Sequence, residues 1–248
     1  MTNMDAGLYQ SDFRAGRVFN QTWSVLSRNL LPFCLVTAIA SLPNVLIVAT
    51  QTAGDPRAGS DYAVWLLLAV LAAMVLSALS EAVVLYGAFE DMRGRPVNLL
   101  ESVRIGLRRF FPVLGVAVLV PILAALAGFL LIVPAFIVLT MLFVAMPACV
   151  VETLGPLKSM GRSAQLTKGH RWKIFGLWFA TTVAGGIIQA ALEGLSDYVG
   201  GAPLRLAVLL AWGALLGAFY AILVVVTYHD LRVTKEGVDT SQIAAVFD

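Results

Sequence analysis

The longest uncharged stretch of this chain limits its possible folds more than any other feature. Residues 110–151 contain no Asp, Glu, Lys or Arg over 42 positions. As a single helix this stretch would be about 63 Å long, which is about twice the roughly 30 Å hydrocarbon core of a bilayer. We therefore predict two membrane-spanning helices joined by a tight turn, and Gly128 and Pro134 flank the most favourable place for that turn.

The remainder of the chain is also unusually apolar. Of its 248 residues, 59% are hydrophobic and 13% are charged, whereas soluble domains have about 45–50% and about 25%. Too few polar residues remain to cover a water-soluble globule. Disorder is excluded by the same hydrophobicity, and a net charge of +2 is too small for a basic nucleic-acid-binding domain. Since backbone groups in lipid must be bonded within their own segment, helices are expected.

We predict an all-α polytopic membrane protein with six transmembrane helices. Besides the two within 110–151, the spans are expected at residues 31–50, 63–89, 174–192 and 206–228. Pro43 and Asn44 predict a kink or an unwound turn in the first span. Residues 51–62 form a polar loop, and residues 1–10 lack the basic start of a cleavable signal peptide.

The basic residues predict the orientation. Six spans place both termini and both long loops on one side, and 15 of the 17 Lys and Arg residues fall there, with only Arg57 and Arg205 on the other side. Cytoplasmic loops carry such an excess of positive charge. We expect a bacterial inner-membrane protein with both termini in the cytoplasm.

Three segments on the predicted cytoplasmic side are amphipathic. Leu100, Val103 and Leu107 follow helical spacing, for example, and Arg108 and Arg109 flank them. Basic helices with one apolar stripe lie in the headgroup plane. We predict one membrane domain over residues 1–248, with possible units at 11–90, 97–151 and 156–229, each an interfacial helix followed by a transmembrane hairpin. Alternatively, the similarity reflects only the general preference of inward loops for basic and aromatic residues.

Glu81 is the main candidate for an intramembrane polar site. A charge at the centre of a span costs about 2.5–3.5 kcal/mol on insertion scales, so such residues usually face a bundle interior or a cavity. Ser77 lies one turn earlier, and Asn44 and Gln189 are the other deep polar residues. The carboxylate would then carry a proton or bind a ligand. Alternatively, the span ends near Ser80 and Glu81 belongs to the interface.

No enzyme signature is present in the sequence. Nucleophile, zinc, P-loop and dinucleotide motifs do not occur, and the two histidines are far apart. Cys34 and Cys149 lie in apolar runs without metal-binding spacing, so they are interpreted as small core residues. We expect no catalysis, no metal and no cofactor.

The region after the fourth predicted span has a distinctive pattern. It includes PACVVE at 147–152, Arg162-Ser163 and LTKGHRW at 166–172, and the tail adds YHDLR at 228–232, KEG at 235–237 and AAVFD at 244–248. Together with LLIVP at 130–134, this pattern resembles the membrane domain of glycerophosphoryl diester phosphodiesterases over nearly the whole chain. The resemblance implies a multi-pass helical membrane domain. It does not imply hydrolysis, since the family's catalytic barrel has no counterpart in this chain.

The same pattern predicts a cytoplasmic elbow between two spans. Glu152 closes one span, Pro156 starts a short helix and Gly169 ends it. Candidate elbow or lipid-phosphate contacts share charge or hydrogen-bonding capacity at this face: Arg108, Arg109, Glu152, Arg162, Ser163, Lys168, Arg171 and Trp172. Arginine suits both roles because its planar fork binds carboxylates and phosphates in a bidentate manner.

Two functions remain open at this point. The first is a non-catalytic membrane protein that binds membrane lipids, anionic ones in particular, or organises a protein partner through its basic cytoplasmic face. The alternative is a small transporter or permease subunit with an intramembrane polar site, because interrupted helices often line such sites. The sequence indicates no nucleic-acid partner and leaves oligomeric state open.

Overall fold

The computed structural model describes residues 13–52 and 60–237, and every regular element in these ranges is an α-helix. In chain order the helices are α1 (Ala15–Arg28), α2 (Leu30–Thr52), α3 (Ser60–Met92), α4 (Leu99–Arg108), α5 (Phe110–Leu130), α6 (Ile132–Met141), α7 (Ala145–Val151), α8 (Pro156–Thr167), α9 (Arg171–Val199) and α10 (Gly201–Glu236). The predicted start at 1–10, most of the loop at 51–62 and the AAVFD motif lie outside the described residues.

Within the described residues, six segments are long and apolar enough to cross a membrane. Five are single helices (α2, α3, α5, α9 and α10), and the fourth in chain order is formed by α6 and α7 together, over Ile132–Val151. The predicted all-α polytopic membrane fold is therefore confirmed. Its orientation in the cell and the bacterial inner membrane as its location stay predictions.

The tight turn in the long uncharged stretch lies where the sequence predicts it. Leu131 alone separates α5 from α6, and its backbone is extended, with φ −164° and ψ 150°. This residue falls between Gly128 and Pro134. Two antiparallel spans thus follow from the length of the uncharged stretch alone.

Other boundaries differ from the prediction. Helices α9 and α10 run well past the apolar segments predicted at 174–192 and 206–228. The added turns contain Glu193 and Arg205, whose charged groups lie 3.8 Å apart. Charged residues thus mark the end of each apolar segment, but the helix itself continues past them. Helix α2 continues through Pro43 without an unwound turn, and the alternative expected there, a kink, stays a prediction.

Three times along the described chain a short helix precedes two spans, and these short helices are α1, α4 and α8. On α4, Ser102 and Gly106 are buried while Leu100 is 81% exposed. A Cβ atom at Gly106 would lie 3.2 Å from Val83 Cγ2, so α4 and α3 are closely packed. The predicted apolar stripe of α4 therefore faces away from the bundle. Common descent of the three units stays a prediction.

We call the end of the bundle that holds α1, α4 and α8 the basic end. Most of the buried core lies toward this end, in the second half of α3, in α7 and in α10 between Ala214 and Leu231. In the opposite half, large apolar side chains such as Leu67, Leu68 and Ile187 are exposed. A membrane protein presents such side chains to lipid, so the bundle is tight near the basic end and looser beyond it.

The fourth span is interrupted at residues 142–144, between α6 and α7. Helix α8 satisfies the backbone groups at this break. Ser163 Oγ donates to the Met141 carbonyl at 2.8 Å and accepts from the Val144 amide at 3.2 Å, and Thr167 Oγ1 donates to the same carbonyl at 3.2 Å. Irregular backbone at membrane depth persists only where protein or water satisfies it. Ser163 therefore holds the break in place.

Replacing this hydroxyl tests its role. We expect Ser163→Ala to lower the free energy of unfolding by about 1–3 kcal/mol, because it leaves the buried Val144 amide without a partner and removes one of the two donors to the Met141 carbonyl. Unfolding in mixed micelles, followed by tryptophan fluorescence, measures the change. Ser27→Ala is the control, since the exposed Ser27 hydroxyl bonds only to the Ser24 carbonyl of its own helix. Equal effects of the two substitutions would contradict the prediction.

Candidate functional site

Glu81 lies in the interior of helix α3, more than ten residues from either end. Helix α3 does not end near Ser80 but continues to Met92. Glu81 is nine residues from Glu90, or about 14 Å along the axis at 1.5 Å per residue. Because Glu90 and Asp91 contact arginines at the basic end, this distance brings Glu81 near the middle of a roughly 30 Å hydrocarbon core.

Two cavities meet at Glu81. A cavity of about 350 Å³ lies between α3, α5, α6 and α7, and Trp178 of α9 also lines it. A second, of about 490 Å³, lies between α2, α3 and α10. Glu81 and Ser77 line both, so α3 is the wall between them. We call these the α5 cavity and the α10 cavity.

The α10 cavity is rich in polar side chains. Asn44 lines it, as sequence reasoning anticipated, and four further polar residues do so without having been predicted: Thr37, Ser41, Ser80 and Tyr220. Ser80 is only 7% exposed, and its hydroxyl has no hydrogen-bond partner in the described part of the chain. Glu81 likewise makes no hydrogen bond or ion pair with any residue in 13–52 or 60–237. Polar groups within the bilayer core normally have hydrogen-bond partners. The unpaired groups in this cavity can therefore form hydrogen bonds with a ligand.

The α5 cavity lies beside two places where helical backbone hydrogen bonds are missing. Leu142 and Phe143, at the break in the fourth span, line it, and so do Ala117 and Pro121. A proline inside a helix removes the hydrogen bond to the carbonyl four residues earlier, which is that of Ala117. The described spans are thus interrupted at 142–144, with a proline in the facing helix, whereas α2 is continuous at Pro43.

A packed layer separates both cavities from the basic end. Val84, Leu85 and Ala88 of α3 are fully buried there, and so are Val225 and Val226 of α10. No comparable buried layer occurs in the described residues on the opposite side of the cavities, where helices carry exposed apolar side chains. The cavities are thus closed toward the basic end.

Gln189 is not part of this site. Its side-chain amide donates to Glu193 Oε1 at 2.8 Å, one turn further along α9. It lines neither cavity. The structure brings together three of the four predicted intramembrane polar residues, and the fourth belongs to the charged end of α9.

The predicted elbow is an ion-pair network at the basic end. Arg162 Nε lies 2.9 Å from both carboxylate oxygens of Glu152, and its Nη2 atom pairs with Glu236. Tyr228 donates to Glu152 at 2.6 Å, and Arg232 Nε lies 3.3 Å from Glu236. The network ties α7 and α8 to the last turns of α10. Arg162 therefore contacts carboxylates and leaves little of its fork for a lipid phosphate.

The electrostatics of Arg162 agree with this structural role. Burial by itself would lower the pKa of the Arg162 guanidinium, but hydrogen bonds and charges from Glu152 and Glu236 outweigh burial and raise that pKa above its ordinary value. The side chain is permanently charged. Its charge is compensated by two carboxylates on different elements.

Further charged contacts hold α1 against the spans. Arg28 Nη2 lies 2.6 Å from Asp91 Oδ2, and the Asn29 amide donates to the same carboxylate at 2.8 Å. Arg17 lies 2.9 Å from Asp230 of α10. Sequence reasoning missed these contacts and the roles of Tyr228 and Glu236. The YHDLR and KEG motifs contain some of the residues that form these contacts, but a sequence alone does not show which acidic side chain pairs with which basic one.

The other predicted phosphate contacts lie apart from the elbow network. Arg108 is exposed and Arg109 is half-buried, and both line a pocket of about 330 Å³ beside α3. Lys168 is exposed just past α8, and no hydrogen bond or ion pair joins it to another described residue. Arg171 begins α9, and Trp172 next to it is 84% exposed.

The fold and the site define a multi-pass α-helical membrane protein with a polar cavity system at mid-depth. The chain belongs to the family described as "Domain of unknown function (DUF7847)", which matches residues 102–231, more than half of its length. This region holds Glu152, Arg162 and Tyr228 of the elbow and the walls of the α5 cavity other than α3, whereas Glu81 lies before it and Glu236 after it. No curated protein and no solved structure matches the chain. The resemblance to the phosphodiesterase membrane domain stays a prediction.

A double-mutant cycle tests the elbow. We expect Arg162→Gln to lower the free energy of unfolding by about 2–3 kcal/mol, somewhat less than the about 3–5 kcal/mol for a fully buried pair, because Arg162 is 23% exposed. Combining it with Glu152→Gln should recover part of that loss, and unfolding in mixed micelles measures both.

The control for this cycle is Arg95→Gln. Arg95 is 59% exposed and lies 3.3 Å from Glu90, so its removal should cost less than about 1 kcal/mol. Strictly additive effects of the Arg162 and Glu152 substitutions would show that the two side chains do not interact.

Proposed function

We propose that this protein binds a small organic cation at Glu81 and moves it between the two sides of the membrane. The observation that carries the proposal is that one carboxylate, without a partner among the described residues, forms a shared wall of two cavities. An unpaired charge at this depth is costly. A cationic ligand would supply the missing partner.

The cavity linings support the charge of the ligand. Glu81 is the only charged residue among those that line the α5 and α10 cavities. Apart from the indole N–H of Trp178, the remaining polar groups are hydroxyls and the Asn44 amide, whose oxygens can accept hydrogen bonds from an ammonium group. With no Lys or Arg in either lining, an anionic ligand would meet only a like charge.

The same linings support an apolar body for the ligand. Val116, Val120, Leu139 and Met146 line the α5 cavity, and Trp178 adds an aromatic face on which a cation can rest. Volumes of about 350 and 490 Å³ fall within the range of about 300–1,000 Å³ that is usual for small-molecule sites. A metal ion would need far less space.

Movement across the membrane is supported by the closure of the site on one side. The packed layer around Leu85 and Val225 blocks the basic end, and the broken fourth span beside the α5 cavity is the type of segment that lines transporter sites. Catalysis would need several convergent reactive groups. Because the cavities contain one carboxylate, we propose binding and transport without a chemical step.

The lipid-organising role predicted from the basic face has weaker support. Six of its arginines are engaged in ion pairs within the bundle: Arg17, Arg28, Arg93, Arg95, Arg162 and Arg232. These charges stabilise contacts between helices and are less available to headgroups. General contact of the exposed cations with anionic lipid stays a prediction.

Binding of a defined cation tests the proposal. In nanodiscs, we expect benzyltrimethylammonium to bind more tightly than neopentylbenzene, its neutral carbon isostere. Glu81→Gln should weaken cation binding about 30-fold or more, since removing one partner of a buried charge pair costs about 2–5 kcal/mol. Glu193→Gln is the matched control, because this carboxylate lies in a spanning segment but bonds to Gln189 and lines neither cavity. Equal affinity in wild type and Glu81→Gln would refute the cation site.

Chemical access to the cavities provides an independent test. With Cys34 and Cys149 replaced by alanine, we expect Ser77→Cys to react with a water-soluble trimethylammonium thiol reagent and benzyltrimethylammonium to slow that reaction. Ala88→Cys should stay unmodified, since Ala88 is fully buried in the packed layer. Mass spectrometry of the intact protein measures both. An unreactive Ser77→Cys would mean that the cavities are not reached from water.

A further inference from the structure

A groove on the outside of the bundle carries an independent inference. It has a volume of about 430 Å³ and lies between α6 and α9. Val133, Phe136 and Ile137 of α6 line one side, and Phe175 of α9 lines the other. The Phe136 and Phe175 rings are 5.3 Å apart and meet edge to face. The groove is apolar along most of its length and faces outward, since Val133 and Ile137 are exposed.

Arg171 closes the groove at the basic end. It is the first residue of α9 and lines the groove next to Trp172. The Arg171 Nε atom is buried without a hydrogen-bond partner. No ion pair or hydrogen bond joins its guanidinium to any residue in the described ranges, unlike Arg162 or Arg28. An arginine that remains unsatisfied at a membrane interface has its donors available for an anion.

The backbone at this point adds to the positive potential. The side chain of His170, the residue before α9, makes no hydrogen bond that caps this helix. A helix N-terminus attracts phosphate through its first amides and the helix dipole. Lys168 and Arg171 both act electrostatically on Lys235, so several cations gather here.

We propose that this groove binds one anionic phospholipid, with its phosphate on Arg171 and the first amides of α9 and one acyl chain along the groove. The charged end and the apolar length together match an amphiphile. Free phosphate would contact only the charged end, and a hydrocarbon would contact only the apolar length of the groove. The local excess of cations disfavours a zwitterionic headgroup, whose positive group would be repelled. The groove lies on the outer side of α6 and shares only Thr140 with the lining of the α5 cavity, so lipid binding there can be tested without reference to transport.

Lipid retention tests the proposal. After delipidation and addition of dioleoylphosphatidylglycerol, native mass spectrometry should detect one tightly held lipid and much weaker retention of dioleoylphosphatidylcholine. Arg171→Gln should lower phosphatidylglycerol retention about tenfold, as expected for lost charged hydrogen bonds, whereas Arg171→Lys should lower it less. Arg104→Gln is the matched control, since Arg104 is an exposed cation of α4 away from the groove.

Two further arms keep the outcome decisive. Ile137→Trp fills the groove at an exposed position and should abolish tight retention while Arg171 stays in place, even if Arg171→Gln folds poorly. Inorganic phosphate in excess should not displace the lipid from wild type. Unchanged retention in folded Arg171→Gln or Ile137→Trp, or full displacement by phosphate alone, would overturn the proposal.

Discussion

The absence of water from the bilayer core governs this structure. Each backbone or side-chain polar group at that depth must find its partner within the protein. The bundle meets this requirement at the break in the fourth span, where Ser163 and Thr167 replace the missing helical bonds. It does so again where Thr37 donates to the Ala214 carbonyl of α10 at 2.7 Å. Against this background, the lack of hydrogen-bond partners for Glu81 and Ser80 among the described residues is informative, because deep hydroxyls elsewhere in the bundle, such as that of Thr37, are hydrogen-bonded.

The basic end combines two physical roles. A one-sided distribution of Lys and Arg predicts orientation in the membrane, and in the folded bundle several of the same arginines pair with acids that lie far away in sequence. Arg28 reaches Asp91, and Arg162 reaches Glu152 and Glu236. These contacts fix the short helices to the spans. Part of the positive charge that the sequence suggests for lipid is thereby paired within the protein, and Arg171 differs because no carboxylate of the described residues pairs with it.

The parts of the fold that depend on apolar length could be predicted from the sequence. The 42-residue uncharged stretch predicts two spans and places their turn within a few residues of Leu131. The ends of α9 and α10 were predicted less well, because both helices continue beyond their apolar segments into turns that contain Glu193 and Arg205. The break at residues 142–144 has no sequence signal of its own, since its cause is the two hydroxyls of α8, which are distant in the chain. The sequence predicted a kink or an unwound turn at Pro43, but the helix continues through this residue.

The candidate site could be predicted only in part, for a similar reason. Glu81, Ser77 and Asn44 stand out as polar residues in apolar segments, whereas their convergence depends on which faces of α2, α3 and α10 meet. Gln189 has the same sequence character, but it lies near enough to Glu193 on its own helix to bond there. A cavity arises from packing between helices, and nothing in the local sequence around Ser80 or Tyr220 indicates that it lines one.

Helix α6 connects the two proposed sites. Thr140 lines both the α5 cavity and the outer groove, and Phe136 of the groove contacts Trp178 of the cavity with ring centroids 6.0 Å apart. A lipid chain in the proposed groove and a cation at the proposed site beside Glu81 would lie on opposite sides of this helix. If binding of one ligand shifts α6 and thereby changes the affinity for the other, the second ligand must change the affinity for the first by the same factor, since such coupling is reciprocal.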